Sequence, residues 1–94
     1  MTQAPNPRNS VGPVLIANAI GRAVAAIIQK HNSDTLIVDR GAYLRILVPV
    51  RCVLRADDVS KLCGETFELP NDLEAVMPAF QGRLRLDGQV AEWT

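Results

Sequence analysis

From Tyr43 to Arg55 the chain alternates apolar and mixed positions without a break, and this period of two constrains the fold more than any other feature. Leu44, Ile46, Val48, Val50, Cys52 and Leu54 fall on one side of such a strand. Tyr43, Arg45, Leu47, Pro49, Arg51, Val53 and Arg55 fall on the other. A strand with one wholly apolar face has to bury it against a second layer. Pro49 has no N–H for a ladder, so it is expected to bend the strand or split it in two.

The flanking segments supply the other elements. Val11-Gly12-Pro13-Val14-Leu15-Ile16 reads as a first strand, and Pro13 suggests a sheet edge or a strand start. A helix is expected from Ala17 to His31, capped by Asn18, with Ile20, Val24, Ile27 and Ile28 at helical spacing. Ala19, Ala23 and Ala26 form a thin strip that would let it lie close to a sheet. Asn32-Ser33-Asp34 carries turn chemistry, and Thr35 to Asp39 is a β-branched strand. Asp57 or Asp58 is expected to cap a short helix whose apolar side is Val59, Leu62 and Cys63, with Gly64 ending it. Pro70 to Ala75 fits one further helical turn.

Asp87-Gly88 has the composition of a two-residue type I′ hairpin loop. That loop pairs Leu86 with Gln89, Leu84 with Ala91 and Arg83 with Glu92. It sends Phe80, Leu84, Leu86, Ala91 and Trp93 inward and Arg83, Arg85, Val90 and Glu92 outward. Elements that pair mostly with their sequence neighbours point to an α+β domain with a mainly antiparallel sheet.

The 94 residues suit one small domain, read as a flexible arm over 1–10 and a folded unit over 11–94. Ten basic and ten acidic residues cancel, which argues against a nucleic-acid partner. No apolar run approaches the roughly 20 residues of a membrane helix, and Met1 to Ser10 has no hydrophobic signal region. Cys52 and Cys63, the only cysteines, fall inside predicted elements, which favours reduced thiols and a cytoplasmic setting.

Chemistry-bearing patterns are few. His31 is the only histidine, and no Glu-x-x-His accompanies it. The dispersed glycines make no phosphate loop, and no serine sits in a nucleophile elbow. Asp57-Asp58 is a carboxylate pair that helix capping also explains. No cofactor or metal is therefore expected. Arg45, Arg51 and Arg55 on the long strand and Arg83 and Arg85 on the hairpin either blunt exposed strands or form a docking surface.

Three segments taken together resemble the effector (coupling) proteins of bacterial multicomponent di-iron monooxygenases, in the toluene and alkene branch. They are Val38-Asp39-Arg40-x-x-Tyr43, Leu62-Cys63-Gly64 followed by Phe67, and Met77-Pro78-Ala79-Phe80-Gln81-Gly82-Arg83. Val11-Gly12-Pro13-Val14 looks like that branch's opening, while Glu65 departs from it, standing where relatives carry a basic residue. The resemblance implies two strand-helix-strand-strand units and a cofactorless regulatory protein rather than an enzyme. Its partner would be the di-iron hydroxylase of an aromatic or alkene monooxygenase, whose active site, substrate access and coupling it would tune. It places the hydroxylase contact at Met77, Pro78, Ala79, Phe80, Gln81 and Gly82, and we add Arg45, Arg51 and Arg83 from the arginine-bearing faces. A small-molecule-sensing regulatory domain is the competing expectation.

Overall fold

A computed structural model describes residues 9–94. The expected N-terminal arm lies outside them, save for Asn9 and for Ser10, which opens the first strand and is buried. The elements run β1 (Ser10–Ile16), α1 (Ala19–His31), β2 (Leu36–Asp39), β3 (Tyr43–Pro49), β4 (Cys52–Arg55), α2 (Ala56–Cys63), α3 (Asn71–Glu74), β5 (Ala79–Gln81), β6 (Leu84–Leu86) and β7 (Val90–Trp93). They build two antiparallel sheets, ordered β2-β3-β1-β5 and β4-β7-β6. The α+β expectation holds, and so does the pair of strand-helix-strand-strand units.

The long strand divides at Pro49, and its halves join different sheets. The Arg51 N–H donates to the Pro49 carbonyl at 2.7 Å, closing a three-residue turn around Val50. Val50 takes a positive φ of 69°. A β-branched residue is strained there, at a cost of about 1–3 kcal/mol. Val50 was expected on the apolar inner face, yet it is 72% exposed, because the turn lifts it out of both sheets. The other five residues of that face, Leu44, Ile46, Val48, Cys52 and Leu54, are buried as expected.

β1 is not an edge strand. It lies between β3 and β5, and Pro13 is fully buried. The β1–β3 register shows how a proline is tolerated there. Val11 pairs with Val48 and Val14 with Arg45, while Gly12 and Pro13 are skipped. The missing N–H thus falls where the ladder is already interrupted. Gly12 (φ 146°) passes so near the Ile46 carbonyl that a Cβ would come within 2.5 Å of its oxygen.

Asn18 caps α1, its Oδ1 accepting from the Gly21 N–H at 2.8 Å. The buried face is Gly21, Val24, Ala25, Ile27 and Ile28. The alanine strip is therefore misplaced: Ala19 and Ala26 are exposed, and close approach is made by Gly21 and Ala25. A Cβ on Gly21 would sit 1.7 Å from the Ile16 carbonyl oxygen, so only glycine fits. Asn32 ends α1 and joins the two halves of the molecule. Its Nδ2 donates to the Ile28 carbonyl (2.9 Å) and the Val53 carbonyl (3.0 Å), and its Oδ1 accepts from the Val53 N–H (2.9 Å).

In α2, Arg55 is the N-cap without a side-chain bond, and Asp57 and Asp58 lie inside the first turn. There the carboxylates favour the helix dipole without capping it. Gly64 closes the helix at φ 72°, as expected. Ala56 and Val59 are its buried side, while Leu62, expected inward, is 55% exposed.

The last hairpin departs from its expected register. Leu86 pairs with Ala91, Arg85 with Glu92 and Leu84 with Trp93. Gly88-Gln89 form the turn, and neither takes a positive φ, so it is not type I′. Asp87 supplies the reason: its Oδ1 accepts from the N–H groups of Gln89 and Val90, both at 2.7 Å. An aspartate opening a turn in this way replaces the conformation that Asp-Gly would take as central pair. The displacement amounts to two residues, so Leu84, Leu86, Ala91 and Trp93 keep their inward side. Phe80 does not share it; it lies in β5, in the other sheet, and is exposed.

Candidate functional site: the open face of the four-stranded sheet

Residues paired directly across strands share a face, so the register assigns the sides of the first sheet. The inner side carries Leu15, Leu44 and Ile46, joined in one core with Val24 and Ile28 of α1. The outer side carries Leu36 and Val38 of β2, Tyr43, Arg45 and Leu47 of β3, Gly12, Val14 and Ile16 of β1, and Ala79 and Gln81 of β5. Leu47 is buried on this side, but Ile16, Leu36 and Tyr43 stay exposed, Tyr43 at 48%. Scattered apolar residues need no explanation; a group brought together on one sheet face marks an interaction surface.

A polar bridge crosses the middle of this face. The Arg45 guanidinium donates to Gln81 Oε1 at 2.7 Å, and Gln81 Nε2 donates to the Ser10 carbonyl at 2.8 Å. Arg45 and Gln81 belong to β3 and β5, with β1 between them. Gly12, paired with Gln81, puts no side chain between them, so the arginine can reach across. The corner at one end is also ordered. Asp39 Oδ1 accepts from the Gly41 N–H at 2.8 Å, and the Arg40 N–H donates to the Tyr43 carbonyl at 2.9 Å.

The expected contact residues divide by position. Pro78, Ala79, Phe80 and Gly82 are exposed, Phe80 at 45% on the edge strand β5, and Gln81 is half-buried. Met77 is buried in the core and anchors this segment from beneath. The arginines do not form one set. Arg45 lies on the first sheet, whereas Arg51, Arg55 and Arg85 line a concavity on the second with Val53 and Glu92. Arg51 is ion-paired to Glu92 there. Arg83 is exposed just before β6, its N–H donating to the Thr94 carbonyl at 2.8 Å. Tyr43 lies on the open side of the long strand, as its alternation predicts, whereas sequence reasoning did not single out Ile16 and Leu36 as surface residues. Their alternation within strands was visible, but not which face a second layer would cover.

Among the described residues, the titratable groups form no catalytic grouping. Burial pushes the Cys52 thiol up to about 12, leaving a neutral apolar side chain. Among the described residues, no three of His, Cys, Asp and Glu gather into a possible metal site. His31 lies 3.7 Å from Asp58, at the end of α1. No helix among the described residues is long and apolar enough to cross a membrane.

The described residues thus make a small α+β frame with one open sheet face, apolar around a single polar bridge. The chain belongs to the MmoB/DmpM family, whose profile matches residues 9–94. It is 31% identical over 87 residues to the effector subunit of the alkene monooxygenase system of Xanthobacter autotrophicus (strain ATCC BAA-1158 / Py2), covering 90% of this chain and 85% of the relative. Its fold is similar to a chain in the structure of a phenol hydroxylase–regulatory protein complex, with a TM-score of 0.79 at 17% identity. That match covers 89% of this chain and 94% of the other. The family is an effector or regulatory component of monooxygenase systems, and this chain is such a component, not a catalytic subunit.

Proposed function

We propose that this protein docks on the di-iron hydroxylase of an aromatic or alkene monooxygenase and tunes its active site, substrate access and coupling. The observation that carries the reading is the outer face of the first sheet, where exposed Ile16, Leu36 and Tyr43 surround the ordered Arg45–Gln81 bridge. Pro78, Ala79, Gln81 and Gly82 extend that face along the β5 edge, while exposed Phe80, paired with Pro13, projects from the same edge toward the other side, and Met77 is their internal anchor. Of the expected arginines only Arg45 lies on this face; Arg51 lines the concavity of the second sheet and Arg83 precedes β6. Apolar centres ringed by polar and arginine side chains suit protein interfaces. The relative from Xanthobacter, an effector subunit of an alkene monooxygenase system, supports the same partner class. A cytoplasmic setting accompanies this reading.

The mechanism is a population shift. A protein that brings no reacting group changes turnover only by binding one conformation of the hydroxylase more tightly than another. A rigid face serves that purpose well, because ordering on binding costs affinity. The sensing alternative has less support. The hollow between α1 and the α2–α3 segment, lined by Ile20, Cys63, Phe67 and Val76, measures about 240 Å³. The larger hollows, such as those beside Val50 (about 390 Å³) and on the second sheet (about 460 Å³), are shallow and open, whereas small-molecule sites enclose most of their ligand.

The test titrates the protein into its hydroxylase, with reductant and oxygen supplied, while product rate, regioselectivity and peroxide leakage are followed. Tyr43→Asp is expected to weaken the response about tenfold or more, with little change in melting temperature because Tyr43 is half exposed. Arg85→Asp, on the second sheet, is expected to leave the response near wild type. No complex and no change in any readout at saturating wild-type protein would refute the reading.

A further inference from the structure

Val50 occupies a place that glycine would fill without strain. The chain has to leave the first sheet after Pro49 and enter the second at Cys52, and the turn that does this requires φ 69° at residue 50. Glycine adopts such angles freely, and a β-branched residue does not. The Val50 side chain gives little in return within the fold, being 72% exposed and outside the core cluster. The turn is held from both sides. The Val50 N–H donates to the Asn9 carbonyl at 2.8 Å, and the Arg51 N–H donates to the Pro49 carbonyl at 2.7 Å. A strained backbone held this firmly presents one apolar, branched side chain in a fixed direction.

Its surroundings indicate what the side chain meets. Val50 shares a shallow surface hollow with Ser10, Val11, Gln81, Gly82 and Thr94, so it adjoins the β5 end of the open sheet face. None of these side chains is charged. Val11 and Val50 stand there beside polar Asn9, Ser10, Gln81 and Thr94, which suits a partner surface that offers an apolar recess ringed by hydrogen-bonding groups, unlike the arginine-lined concavity on the second sheet.

We propose that Val50 is an anchor for the hydroxylase, entering an apolar recess beside the contact made by Gln81 and Gly82. The inference rests on the docking function above and adds a residue to it. Strain at an exposed position is then retained because the side chain is needed on binding, not on folding.

The experiment measures the Kd of the full chain for the purified hydroxylase by calorimetry, together with the melting temperature of the free protein. Val50→Gly removes both strain and side chain. It is expected to melt no lower than wild type and to bind at least tenfold more weakly. Val50→Thr keeps the branched shape and the strain but adds a hydroxyl, and it is expected to keep the wild-type melting temperature and to bind more weakly too. Wild-type affinity within twofold for Val50→Gly overturns the anchor. Should that variant fold poorly, the same result for Val50→Thr overturns it. Absence of binding by the wild-type protein is a different outcome, refuting the docking function itself and this anchor with it.

Discussion

The two halves of this protein are built on one plan and present opposite surfaces. In the first half, β1-α1-β2-β3, the strands lie in the order second, third, first; in the second half, β4-α2-β6-β7, they lie in the same order. The first sheet is extended by β5, which leaves the second half to pair with β1. Its outer face is apolar around one arginine–glutamine bridge. The outer face of the second sheet holds Arg51, Arg55, Arg85 and Glu92 with Val53 and Val90. Topology alone therefore does not single out the proposed docking surface. The difference lies in which residues alternate outward: apolar side chains gain by being covered again, while paired charges are already satisfied by water and one another.

The largest effects should come from the core that the halves share. Trp93 of the second sheet and Ile46 of the first belong to one cluster, and both are fully buried. Trp93→Ala is expected to cost about 3–5 kcal/mol and Ile46→Ala about 2–5 kcal/mol. In urea, all probes should report one transition for each variant. Two separated transitions would show that the halves fold as independent units.

A smaller effect tests the link between them. Asn32→Ala removes the side chain that serves both the N–H and the carbonyl of Val53. The expected loss is about 1–3 kcal/mol, since those backbone groups lose their partner in a partly buried place. A midpoint equal to wild type would mean that water replaces the asparagine and that the link is incidental.

The smallest effects concern the hairpin turn. Gly88 has a φ outside the left-handed region and open space around it, so Gly88→Ala should change stability by no more than about 0.5 kcal/mol. A clear loss would restore the type I′ turn. At the same turn, the Gln89 and Val90 N–H groups hold the Asp87 carboxyl below its ordinary value. Its folded-state pKa is lowered, so its contribution is present above the unfolded value and is lost as pH falls through the folded one. Carboxyl titration by NMR should place Asp87 below the ordinary carboxylate range; an ordinary value would mean that the turn bonds are not made in solution.

The inward sides of the strands were legible because a period of two needs no tertiary information. Leu44, Ile46, Val48, Cys52 and Leu54 could be assigned from alternation alone, as could the Asn18 cap and the Gly64 stop. Even the hairpin error preserved the buried side, because a displacement of two residues restores the same face. The candidate surface was legible only in part. The Met77–Gly82 segment came from a resemblance to a family and the outward side of Tyr43 from alternation, whereas Ile16 and Leu36 came from the sheet.

By itself, the amino-acid order determined the element types, the apolar faces, the break at Pro49 and the absence of recognisable catalytic motifs. Those depend on local sterics and short-range spacing, which act within a few residues. Tertiary structure decided that the two halves of the long strand enter different sheets, that Pro13 sits in a central strand, and that Gly21 marks the close approach of α1 to the end of β1. It also decided that Val50 projects outward and that one open sheet face is apolar while the other is charged. Each of these depends on which distant segment packs alongside, and a strand's pattern of side chains is the same whether its second face meets protein or water.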